Sequence, residues 1–184
     1  MLRIHFTEAD LRRTTVAPVP DALPEAALSV RYSRTRPAST ERLHPNLRPW
    51  RQRIASSVAP RAGMLVELPP PPPPPPPPPF FVQPFTPGLR AGLDLAAATP
   101  TQELADEIAL LPRHTRDRPR LRELADGTST GRNLFANDTL RYFDSSLTAL
   151  WPQMQAAAAA ERALPAETLL SGGVDAMLAT LVPG

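Results

Sequence analysis

Glu103, Asp106 and Glu107 stand at i, i+3 and i+4, a spacing that gathers three carboxylates on one face of a helix. Paired carboxylates do acid–base work when their surroundings push their pKa values apart. The same spacing also describes a solvated helix face, and that is the reading preferred for this segment. Asp138 and Asp144 flank Arg141 at i−3 and i+3, the spacing of ordinary helical charge pairs. The three histidines, His5, His44 and His114, are far apart and show no metal-ligand spacing. With no cysteine, the chain has no disulfide, no Cys-ligated zinc, no iron–sulfur cluster and no thiol nucleophile. Dinucleotide-binding, Walker A, zinc-protease and nucleophile-elbow signatures are missing as well. The sequence therefore assigns no catalytic residue, no cofactor-binding residue and no metal ligand, and an enzyme is not expected.

Two segments have the chemistry of binding. Arg113, Arg116, Arg118, Arg120 and Arg122 form the densest basic cluster, and guanidinium groups at that density suit phosphate. Asp117 and Glu123 dilute it, and no helix with side chains aimed at base edges follows. These five are weak DNA-binding candidates beside the preferred reading of a solvated loop. Eleven consecutive prolines, 69–79, precede Phe80 and Phe81. Proline locks φ and lacks an N–H, so the run predicts a polyproline II rod of about 34 Å. Pro69, Pro74, Pro79, Phe80 and Phe81 are the candidate contacts for a polyproline-binding protein. An inert spacer, lengthened by slippage of a GC-rich codon run, is the preferred alternative.

The elements that carry these residues follow from local pattern. Leu2, Ile4 and Phe6 alternate with Arg3 and His5, the period of a short half-buried strand. Thr7 then caps a short helix over 8–13, and Asp21 caps a second over 22–31, with Pro24 tolerated in its first turn. Residues 33–63 carry little periodic pattern apart from one helix over 49–58, on which Trp50, Ile54 and Val58 share a face. After the proline run the chain is helical. One helix opens at Thr86-Pro87-Gly88 and runs to about Ala98. Thr99-Pro100-Thr101-Gln102 reads as a capping box for a second, which ends before Pro112 and carries Leu104, Ile108 and Leu111 as its apolar stripe. Pro119 starts another, with Leu121 and Leu124, and Gly127 ends it. The longest stretch covers 134–163, kinked or divided at Pro152, with Phe143, Leu147, Leu150, Trp151 and Met154 expected in the core. A turn at Leu164-Pro165 is expected to fold back a last helix over 166–181, weakened at Gly172-Gly173. Its stripe of Leu170, Val174, Met177, Leu178 and Leu181 then packs antiparallel on its predecessor.

The fold class is thus mainly α. A bundle-like C-terminal half is joined to one short N-terminal strand by an irregular, proline-rich middle. The expected divisions are 1–32, 33–83 and 84–184. The chain has 184 residues, 42% hydrophobic and only 5% aromatic. All 20 of its basic residues are Arg, a codon bias that points to a high-GC bacterial genome. Residues 1–68 hold 11 Arg and 6 acids, net +5, whereas 80–184 hold 9 Arg and 12 acids, net −3. Such asymmetry suits a charged partner or an internal pairing, and a mixed solvated surface is the plainer reading. No run approaches a membrane span and the N-terminus lacks a signal-peptide core, so no membrane contact and a cytoplasmic location are expected.

Four blocks together resemble one family. They are Met1-Leu2-Arg3-Ile4-His5-Phe6-Thr7 with Asp10-Leu11, Val16-Ala17-Pro18 and Pro20-Asp21; Phe85-Thr86-Pro87-Gly88 with Gly92-Leu93; Tyr142 through Trp151-Pro152; and Leu169-Leu170-Ser171-Gly172-Gly173-Val174-Asp175-Ala176-Met177-Leu178. They look like ArsR-like winged-helix transcriptional regulators of high-GC bacteria, across about two-thirds of the chain. Pro24 stands where the family pattern has Trp, and the leucine-rich helices expected over 33–80 are replaced by Ser, Arg and Pro. Family members continue past the Gly-Gly block into a winged helix that binds DNA. No residue here maps onto its recognition helix, so no DNA-reading residue is carried over.

The resemblance implies the effector or dimerisation half of such a regulator, expected to be truncated or mis-framed. It also implies a homodimer, and DNA contact only through a winged helix that this chain does not carry. The lack of cysteine removes Cys-based metal sensing. A proline-rich interaction module is the first alternative, and a small helical ligand-binding domain or enzyme the second.

Overall fold

The computed structural model of the chain describes residues 7, 9, 17–34, 47–57, 63–64, 85–86 and 88–181. The expected strand at Leu2, Ile4 and Phe6 lies outside them, as do the helix over 8–13 apart from Ala9, which is helical, and the proline run with Phe80 and Phe81. The described residues hold eight α-helices and no strand: α1 (Ala22–Arg34), α2 (Leu47–Ser57), α3 (Leu89–Ala97), α4 (Thr101–Ala109), α5 (Arg113–Arg116), α6 (Pro119–Ala125), α7 (Ser129–Ser146) and α8 (Trp151–Leu181). Residues 21–151 form one compact unit, and 1–20 with 152–184 form another. None of the described helices is long and apolar enough to cross a membrane.

The first unit is built on α1 and α7. Asp21 caps α1 as expected, its Oδ1 accepting from the Leu23 N–H at 3.3 Å, and the helix runs three residues further than its pattern predicted. Leu23, Ala26, Ala27 and Val30 are buried at helical spacing, against α2, α3 and α7. On α2 the expected Trp50 and Ile54 are buried, while Val58 lies outside the described residues. The Trp50 indole N–H donates to the Ser146 carbonyl at 2.9 Å, which ties α2 to the end of α7. Fully burying an indole without a partner for that N–H would cost free energy, so this bond also fixes its direction.

The expected stripe Leu104, Ile108 and Leu111 is buried. The capping box at its start is not formed as predicted. Helix α4 begins at Thr101 behind Pro100, and the Gln102 amide donates forward to Asp106 at 2.9 Å rather than back to the cap. Pro119 occupies the first turn of α6, and Leu121 and Leu124 are buried, both as predicted. The helix closes with the Gly127 N–H on the Leu124 carbonyl at 3.0 Å and the Thr128 N–H on the Glu123 carbonyl at 3.2 Å. This is a Schellman closure, and Gly127 sits at φ 65°, where a side chain would be strained.

The long stretch predicted over 134–163 is two helices. Thr128 caps α7, its hydroxyl accepting from the Gly131 N–H at 3.0 Å, so the helix starts five residues early. It ends at Ser146, and turns through 147–150 separate it from α8, which places Pro152 in the first turn of α8. Phe143 and Leu147 are buried as expected, whereas Leu150, Trp151 and Met154 are half-buried. The Phe143 and Trp151 rings meet edge to face at 5.0 Å.

In the second unit, α8 corrects the expected hairpin. The chain stays helical through Leu164 and Pro165, and the break comes instead at Gly173, with φ 74° and ψ −174°. Leu170, expected on a packed stripe, is 88% exposed.

Candidate functional site

Of the five candidate arginines, Arg113 and Arg116 are on α5, Arg118 caps the start of α6, and Arg120 and Arg122 are on α6; the structure gives them separate tasks. Arg116 folds back to donate to the Ala109 carbonyl at 2.8 Å, at the C-terminal end of α4 where cations are favoured. Arg122 lies 3.7 Å from Asp117, both well exposed. Arg120 lies 3.7 Å from Asp138. Arg118 precedes α6 and has a partner of its own, and Arg113 is exposed on α5. Their attachments diverge to a helix end, a neighbouring loop acid and a carboxylate on α7.

Asp138 does not belong to the local pair with Arg141 that its spacing suggested. It is buried on α7, and its Oδ2 accepts from the Met64 N–H at 2.8 Å and lies 3.7 Å from the Arg120 guanidinium. Met64 is wholly buried, and Gly63 before it takes φ 48°; a Cβ there would fall 2.1 Å from the Asp138 carboxylate. The carboxylate thus holds the backbone of 63–64 against α6 and α7. On α4, Glu103 and Asp106 are exposed as expected of a solvated face, but Glu107 is buried and engaged.

Two polar clusters had no signal in local spacing. At the start of α1, Asp21 accepts from the backbone N–H groups of both Leu23 and Thr86, across 65 residues of sequence. Burial holds its carboxyl above the usual carboxylate range against the pull of those two bonds. One turn on, burial raises Glu25 too, and the neighbouring Asp21 charge adds to the shift. The backbone of Gly92 completes this corner, so close that a Cβ would lie 3.1 Å from Thr86 Oγ1 and 3.3 Å from Leu23 Cβ.

The second cluster is made of hydroxyls. Tyr142 is 1% exposed, and its phenol shares a 2.9 Å hydrogen bond with Ser29 on α1. Burial pushes the phenol up, while hydrogen bonds with Ser29, Ser146 and Ser33 act the other way. Arg132 makes a third junction. It donates to the Ala97 carbonyl at the end of α3, to the Gly127 carbonyl at 3.2 Å and to Thr101 Oγ1 at 3.3 Å.

No group of three His, Asp or Glu that could hold a metal ion occurs among the described residues. Pro69, Pro74, Pro79, Phe80 and Phe81 lie outside the described residues. The chain matches no family model, no curated protein and no solved structure.

Proposed function

We propose that the chain is the effector or dimerisation half of a transcriptional regulator of the ArsR-like kind. One observation carries this reading: sequence blocks that give the resemblance meet in space. Asp21, from the first block, accepts the Thr86 N–H of the second. Gly92, also from the second, packs its backbone on Leu23, two residues beyond Asp21. Tyr142, which opens the third, bonds to Ser29 on the helix that Asp21 caps. Residues of three of the four blocks, from Asp21 to Tyr142, are thereby joined around α1, α3 and α7, the arrangement expected if they belong to one domain type.

The chemistry that goes with this role is support rather than catalysis. A rigid helical unit presents a second copy or a ligand to a DNA-binding module, and DNA contact belongs to that module. The test is a repression assay in cells. The full chain is fused to a DNA-binding domain that represses a reporter only as a dimer. Repression at least tenfold above the unfused domain is expected. Reporter activity equal to that of the unfused domain would refute the reading.

A further inference from the structure

We draw no further inference here: the strongest candidate, the half-buried carboxylate pair of Asp21 and Glu25 at the start of α1 beside Thr86, is an acidic cluster set apart only by the upward shift of its own pKa values, and nothing among the described residues points to a ligand there.

Discussion

Removing the Asp138 carboxylate tests how the segment at 63–64 is held. The side chain is 11% exposed and accepts one charged hydrogen bond at 2.8 Å from a backbone N–H whose residue, Met64, is itself buried. A hydrogen bond to a charged group contributes about 1.5–3 kcal/mol, and leaving the donor unpaired adds about 1 kcal/mol or more. The facing guanidinium of Arg120 is half exposed and 3.7 Å away, so that pair contributes at most about 1 kcal/mol. Asp138→Ala is therefore expected to cost about 2–4 kcal/mol. Asp138→Asn, which keeps an acceptor at the same place, should cost less than half as much. Arg120→Gln should stay within about 1 kcal/mol and Arg141→Gln within about 0.5 kcal/mol. Urea unfolding of these four variants and of the exposed control Asp144→Ala measures this, the cost being a lower midpoint at unchanged slope. Asp138→Ala as stable as the exposed control Asp144→Ala would mean that the carboxylate does not hold 63–64, and a larger loss from Arg141→Gln than from Arg120→Gln would mean that Arg120 is not its charged neighbour.

Other expectations follow from the same contacts. Leu147, 2% exposed, should cost about 2–5 kcal/mol when cut to Ala, against no measurable change for the exposed Gln153→Ala; equal melting temperatures would place Leu147 outside the core. Glu25 has its folded pKa raised by burial and by Asp21, so its favourable contribution is complete at pH values below its unfolded pKa and is lost as pH rises through the folded one. Glu25→Gln should therefore be more stable than the parent near neutral pH, with the difference closing on acidification; melting curves across that range that stay parallel would contradict it. The chain by itself should bind duplex DNA without sequence preference, at a Kd of about 10⁻⁴–10⁻⁶ M, and a footprint at one defined site would contradict that.

What the sequence made legible was local. Asp21 as a cap, Trp50 with Ile54, the Leu104–Ile108–Leu111 stripe, Pro119 in a first turn and Gly127 at a helix end are all decided within a few residues, by the geometry of a single helix. The break at 147–150 was hidden because Phe143, Leu147, Leu150 and Trp151 keep helical spacing through a turn. The early start of α7 was hidden by Gly131, a poor helix former whose reason is tertiary: a Cβ there would lie 2.4 Å from the Glu123 carbonyl oxygen on α6. Pro165 misled in the other direction, since the chain stays helical across it. The site residues were less legible still. Asp138 has Arg141 three residues away, yet its partners are Arg120 and Met64, and the Asp21–Thr86 bond joins residues 65 apart. Pairings at that distance are set by packing and leave no mark in local spacing.

On the function proposed above, two copies of this chain come together in the service of a DNA-binding module. Sedimentation equilibrium of the full chain over roughly 1–200 µM measures this, because a weak self-association shifts by mass action in that span. The apparent mass is expected to climb from the 20.0 kDa of one chain toward twice that value as concentration rises. A mass that stays at 20.0 kDa across the whole range would contradict it.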